Sequence, residues 1–558
     1  MRSGCSKTPC REAVIGPSEN GQSTRWRRLG RHVPLLLIVA LGALLIFPKL
    51  GNICLWQDEA QTALLAKVVL SRGLPYAYDG KNWMFQDGEA AHASKEFVWK
   101  WHPWLQFYIA APSLALFGAT AFAARLPFAI LGLASVILAY CAGLQFWRTR
   151  AAGVVSAVLL VTSVPFLILV RQARYYSPTI FFALLALYAY HRLTEGKRYS
   201  ALLFVLACLM LVHSQYAFLV VVLLTTSIHL LLLRRDRMKP YLWTLVAALV
   251  LCAPWVIYFA DIKRPEVYSQ QGSLAFFFNS ISFYAHTIRK YVLGPWFALL
   301  VIAGFFYQRR VQRWGDGDPL GPTVLLATFL VVSVLVLSAG APSLFVRALA
   351  PLIPIACLLV AGAVHRLPAK AVAVVLLMTI VGSSLRGMLD ARHVPNHLGT
   401  HIYELTHDYD GPIEGIVKYL GEHAGANDVV LMTYGDMPVK FYTDLRVLGG
   451  LTGEDLSPAE KADWVIVRHA TVSDFERPVR RFIENRLGIG AGLHLRMDSE
   501  VPCYQKIALS YPDIPWENRE DPYLHRSRTV VGTRPVVLYK RRQGDCEARP
   551  ARDSEVNQ

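Results

Sequence analysis

Charge is scarce in this chain. Asp, Glu, Lys and Arg make up 17% of its 558 residues, against a hydrophobic share of 54%. Soluble globular domains carry about 25% charged residues, so the composition excludes an ordinary water-soluble protein and predicts an integral membrane one. Acids are scarcer than bases, 40 Asp plus Glu against 57 Lys plus Arg, and the long apolar runs hold no acid at all. A proton- or sodium-coupled transporter would bury an acidic relay in its spans, so that absence counts against coupled transport. The nine cysteines show no metal-type spacing. Cys141, Cys208, Cys252 and Cys357 fall within apolar runs as small core residues, whereas Cys503 and Cys546 could pair in an oxidising compartment. The net charge of +17 would suit nucleic acid, but the bases sit in small clusters between apolar runs. Clusters so placed orient a membrane protein, and nucleic acid is not an expected partner.

Residues 1–32 form a basic tail ending in Arg25, Arg27, Arg28 and Arg31. The apolar run that follows has no small-residue cleavage pattern and reads as an uncleaved anchor with a cytoplasmic amino terminus. Runs able to span lie near 33–49, 124–146, 152–171, 178–192, 199–213, 216–233, 240–260, 292–307, 322–340, 346–363 and 370–387. Pro103 to Phe117 is ambiguous, being short and holding Pro103 and Pro112. Charge parity decides against its crossing. Without it, Arg148/Arg150, Arg192/Lys197/Arg198, Arg234/Arg235/Arg237/Lys239, Arg309/Arg310/Arg313 and Arg366/Lys370 all face the cytoplasm. The expected fold is therefore a multi-pass α-helical membrane protein of about eleven spans over 33–387, with an outer first loop at 50–123. Residues 388–558 would lie outside as a soluble α/β domain, with strands at 428–432, 464–467 and 535–539 and helices at 411–423 and 473–487. That domain shows no Gly-rich phosphate loop or catalytic triad motif, and His401, His407, Asp408 and Asp410 read as a solvated surface.

Two adjacent carboxylates, Asp58 and Glu59, follow the first apolar run. A charge at the membrane boundary is costly unless paired or hydrated, which makes both functional candidates; the plainer role for Asp58 is to cap the helix that follows. The same side gathers His102, Arg125, Arg171, Arg174, Tyr175 and Arg347. Singly, each arginine could snorkel at the interface; together, beside a carboxylate pair, they suit an anionic lipid head group, which guanidinium binds bidentately. Arg125 and Arg171 could instead pair with the two acids. Trp83, Trp99, Trp101 and Trp104 could stack on sugar rings or form an interfacial belt.

These residues bring a family into view. The chain resembles the GT-C membrane glycosyltransferases, in particular the protein O-mannosyltransferase and lipid A aminoarabinose transferase group. The resemblance rests on Asp58-Glu59-Ala60, His102-Pro103-Trp104-Leu105, Leu116-Phe117-Gly118, Ala123-Ala124-Arg125-Leu126-Pro127 and Arg171-Gln172-Ala173-Arg174. It implies a polyprenyl-phosphate sugar donor, an active site on the outer face of a bacterial inner membrane, inversion at the anomeric carbon, and Asp58 as base. The acceptor would be a hydroxyl of a glycolipid, glycan or protein. Where relatives often show a second proline, or a Glu-Lys pair before the proline, this chain has Trp101-His102-Pro103-Trp104. Any divalent metal is left open, with His92, Glu96 and His102 as conceivable ligands lacking a diagnostic spacing. A flippase of lipid-linked sugars is the alternative from another class.

Overall fold

The computed structural model describes residues 32–84, 96–260, 273–292, 320–340, 344–365, 367–374, 376, 398–450, 455–469, 476–490, 501, 503–514, 525 and 534–542. Outside these fall the basic tail to residue 31, nearly all of the expected span 292–307, most of that at 370–387, His92 and Cys546.

The apolar runs form helices. In chain order they are α1 (Val33–Ile46), α2 (Gln57–Arg72), α3 (Leu105–Phe117), α4 (Ala121–Trp147), α5 (Arg150–Val161), α6 (Val164–Val170), α7 (Tyr176–Thr194), α8 (Ser200–Ser214), α9 (Tyr216–Leu233), α10 (Met238–Ala260), α11 (Leu274–Thr287), α12 (Leu320–Gly340) and α13 (Leu352–Val364). Among the described residues, four are long and apolar enough to cross a membrane: α4, α9, α10 with the turn before it, and α12. The expected span at 152–171 is broken. It is α5 and α6, bent by 68° at Thr162-Ser163, where Pro165 in the first turn of α6 has no N–H to continue the ladder. The bend carries the residues after α6 back over the start of the chain.

Small residues set the packing of α4 on α5. A Cβ on Gly143 would stand 2.8 Å from the Ala152 carbonyl, and one on Gly153 would stand 2.8 Å from that of Tyr140. Only glycine allows the two backbones so close, the device apolar bundles use where the hydrophobic effect supplies no drive.

The first loop folds onto the bundle. Here α2 starts with Trp56 at the N-cap position, so Asp58 lies inside the first turn and is not the cap expected of it. Glu59 at the third position reaches back to the Trp56 N–H at 3.4 Å. The helix ends at Gly73, whose φ of 78° closes it in the left-handed region. The 13-residue α3 is about 20 Å long and packs Phe107, Ala110, Ala111 and Leu114 against Ala63, Leu64 and Leu65 of α2.

After α14 (Leu398–Thr406) and α15 (Pro412–His423), the chain makes a five-stranded sheet of order β2-β1-β3-β5-β4. Its strands are β1 (Val429–Met432), β2 (Arg446–Gly449), β3 (Trp464–Val467), β4 (Tyr504–Pro512) and β5 (Pro535–Arg541), with α16 (Asp436–Tyr442) between β1 and β2 and α17 (Arg477–Leu487) after β3. Strands β1, β2 and β3 are parallel, and β5 joins β3 and β4 antiparallel. Side chains alternate across the sheet. Val430, Met432, Trp464 and Ile466 face Ile413, Ile416 and Leu420, while Leu431, Val465 and Val467 face Val479 and Ile483. Helices cover both faces, which is why these strands read as unbroken apolar runs.

Candidate active site

The two adjacent acids of α2 have separate fates. Glu59 is fully buried and takes a two-pronged ion pair from Arg125, with Nε 2.8 Å from Oε1 and Nη2 2.6 Å from Oε2. It also accepts from the Ala173 N–H at 2.8 Å. Arg125 spends its remaining donors on the carbonyls of Leu50, Ile53 and Cys54. This pair ties the loop leading into α2 against α4, so both charges are engaged in holding the chain.

Arg171 is occupied in the same way. It donates to the carbonyls of Ile46 and Pro48 and pairs with Glu404 at 3.4 Å. Glu404 meets His525 on its other oxygen. Burial alone would raise the Glu404 carboxyl, but His525 and Arg171 hold it well below the ordinary carboxylate range. A small polar cavity lies between Arg125, Arg171, Gln172, Glu404 and His525. His401, expected on a solvated surface, is instead buried with its ring Nε2 2.9 Å from the Leu45 carbonyl. Burial and the nearby Arg171 lower it to about 4. His407, Asp408 and Asp410 are exposed.

Asp58 gathers the rest. Its Oδ2 lies 3.3 Å from Arg174 Nη2 and 3.2 Å from Arg347 Nη1. Arg174 also donates to the Asp58 carbonyl and to Thr62 Oγ1, at 3.1 and 3.2 Å. Its Nη2 stands 3.3 Å from His102 Nε2, and the His102 ring stacks on Tyr175 with centroids 5.9 Å apart. Arg347, in a 3-10 turn leading into α13, lies over the Phe345 ring at 3.9 Å and the Trp56 ring at 5.9 Å. Asp58, His102, Arg174, Tyr175 and Arg347 thus form one group drawn from α2, the start of α3, the segment after α6 and the approach to α13. Glu59, Arg125 and Arg171 stand beside it as supports.

Of the tryptophans, Trp99 is fully buried and Trp104 donates to its carbonyl at 2.7 Å. Trp104 packs edge-on against Trp255, Tyr258 and Phe259. No three His, Cys, Asp or Glu side chains among the described residues are grouped to hold a metal ion. Glu96 is exposed, and the His102 Nε2 faces the Arg174 cation, a poor setting for a metal ligand.

Several partners escaped the sequence. Asp436 accepts from Gln57 Nε2 at 2.6 Å, Tyr442 Oη from the Leu55 N–H at 2.9 Å, and Glu414 Oε1 from the Cys54 N–H at 2.7 Å. Asp436 carried one usable signal, since an acid just past the carboxyl end of a buried parallel strand is a common place for function. Glu404 and His525 carried none.

Comparison with known proteins adds to this geometry. Residues 101–258 match the family model of dolichyl-phosphate-mannose-protein mannosyltransferase. The apo crystal structure of ArnT from Cupriavidus metallidurans is similar with a TM-score of 0.50, 13% identity and coverage of 80% of this chain and 93% of that one. The structure of that ArnT bound to undecaprenyl phosphate gives 0.49, 14% identity and coverage of 75% and 86%. Arabinofuranosyltransferase AftD from Mycobacteria gives 0.48, 16% identity and coverage of 92% and 41%. No curated protein matches the sequence. At 13% identity the likeness to the apo ArnT structure is one of architecture, and with the matched family model it identifies the chain as having the GT-C fold of membrane glycosyltransferases.

Proposed function

We propose that this protein transfers a sugar from a polyprenyl-phosphate donor to an acceptor hydroxyl on the outer face of the membrane, with inversion and with Asp58 as base. The observation that carries the reading is the single carboxylate oxygen, Asp58 Oδ2, shared by Arg174 and Arg347 at 3.3 and 3.2 Å. Two guanidinium groups converging on one carboxylate oxygen are placed to bind a phosphate, which they grip bidentately. The neighbouring acid is committed elsewhere, which leaves Asp58 for the chemistry. The matched family model, named for a dolichyl-phosphate sugar donor, supports the same donor class.

In this reaction the donor phosphate takes Arg174 and Arg347 from Asp58 and frees its carboxylate. The acceptor oxygen attacks the anomeric carbon opposite the phosphate. Asp58 accepts the hydroxyl proton, the carbon–oxygen bond to phosphate breaks, and the two arginines meet the charge on the departing polyprenyl phosphate. His102 and Tyr175 flank Arg174 and orient it. The site lies outside, with 388–558 as an outer α/β domain and about eleven spans in all. Helix α3 lies along the interface, because its crossing would turn every cationic loop cluster to the other face.

The test is mass spectrometry of glycolipids and envelope glycans from cells with and without the protein. Loss of one monosaccharide supports transfer. Accumulation of a lipid-linked sugar on the inner leaflet instead indicates a flippase and overturns the reading.

A further inference from the structure

The α/β unit meets the first loop at the carboxyl end of its central strand. Strand β1 lies between β2 and β3, parallel to both, and the chain leaves it first to β2 and then crosses back to β3. Open α/β sheets bind ligands at such a reversal, outside the carboxyl ends of the strands. At that end of β1 the chain turns through Gly435, with φ of 93°, straight into α16. The first residue of α16 is Asp436, which is fully buried. A Cβ at Gly450, just past β2, would stand 2.1 Å from Asp436 Oδ1, so the glycine leaves room for the carboxylate.

What meets Asp436 there is the first loop of this same chain. Gln57 Nε2 donates to Asp436 Oδ1 at 2.6 Å, with Gln57 only 3% exposed. Lys440, one turn on, donates to Asp436 Oδ2 at 3.1 Å and to the Trp83 carbonyl at 2.9 Å. Next to this, Tyr442 and Glu414 take the N–H groups of Leu55 and Cys54. Met437 and Phe441 of α16 pack into the same apolar cluster as Ala60 and Leu64 of α2. The contact falls on the residue adjacent to Asp58, at the start of the helix that carries it.

We infer that Asp436 is a positioning residue for the Asp58 carboxylate, acting through Gln57, and that the α/β unit uses its ligand-type crevice to clamp the first turn of α2. The inference rests on the reading of Asp58 as base. Gln57 and Asp58 are successive residues of one helical turn, so a shift in the Gln57 anchor turns the Asp58 carboxylate away from its working position. Misplacement of this kind lowers the rate of the chemical step and leaves phosphate binding by Arg174 and Arg347 in place.

The test uses the full chain, with three variants and two readouts. Gln57→Glu sets two carboxylates against each other and breaks the bond. Asp436→Asn reduces it to an amide–amide bond and takes the negative charge from beside Lys440. The double variant restores an amide–carboxylate bond with donor and acceptor exchanged and a carboxylate near Lys440. Each single variant should lower kcat by roughly 10-fold to 10²-fold with polyprenyl-phosphate affinity near that of the parent, and the double variant should recover most of the loss. Hydrogen exchange of the amides at 57–62 should quicken in the single variants and slow again in the double one. That second readout holds whether or not the parent transfers sugar, so failure of the functional reading shows as an inactive parent with the exchange pattern intact. Parental kcat and exchange in both single variants would overturn the inference. So would a loss that the double variant does not recover, or one that falls equally on phosphate affinity.

Discussion

Arg125 and Glu59 form a two-pronged ion pair at 2.8 and 2.6 Å, buried on both sides, and the residue next to Glu59 has quite different company. One acid is built into the scaffold and the other pairs with Arg174 and Arg347. Removing one member of a buried pair leaves an uncompensated charge and costs about 3–5 kcal/mol. Arg125→Ala is therefore expected to lower thermal stability sharply in detergent, with Glu59→Gln milder because the amide can still accept. Unfolding temperatures within a degree of the parent would remove the scaffold role.

Asp58→Asn should act on transfer itself. The variant keeps the side chain's size and the start of α2, since Asp58 is not the helix cap, but it leaves Arg174 and Arg347 without their carboxylate, so some thermal stability should be lost as well. Loss of the proton acceptor should slow transfer by about 10²-fold or more. Near-parental transfer by a well-folded Asp58→Asn protein would strike Asp58 from the mechanism.

The arginines divide by partner. Arg347→Ala and Arg174→Ala should weaken polyprenyl-phosphate binding by about 1.5–3 kcal/mol, the range for a hydrogen bond to a charged group. Arg171→Ala should leave donor affinity nearly unchanged and reduce stability, because its donors go to Ile46, Pro48 and Glu404. Calorimetric titration with polyprenyl phosphate separates the two behaviours.

Acid should weaken the Glu404 junction. Its folded carboxyl is held below the unfolded value of 4.5, so the stability it contributes is fully present above that pH and is lost as pH falls below it. Thermal unfolding followed from pH 6 downward should show a steeper acid limb in the parent than in Glu404→Gln, in which that group no longer titrates. Identical limbs would mean that the His525 and Arg171 contacts do not stabilise the folded state.

A reporter active only outside the cytoplasm, fused after Gln558, should give signal. Signal only from a cytoplasmic reporter would reverse the orientation and move the site to the other face.

Much of the bundle was legible in the sequence because apolar runs and loop charge are local signals. Helices form at 33–46, 216–233 and 320–340 because those segments bury apolar side chains whatever their neighbours do. The parallel strands were visible for the same reason: with both faces covered, Val429–Met432 and Trp464–Val467 read as continuous apolar runs. The sequence also singled out Asp58, Arg174 and Arg347, since charges beside lipid-compatible segments stand out. What it could not do was apportion partners. Four arginines and two adjacent acids can pair in many ways, and only the packing of α4 and of residues 171–174 after the 68° bend against α2 puts Arg125 on Glu59 and Arg174 on Asp58. The contacts of Asp436 with Gln57 and of Glu404 with Arg171 span 379 and 233 residues of chain. Composition and periodicity report on neighbours in sequence; which distant polar groups share a buried bond is settled only when packing has removed the water that would otherwise satisfy them.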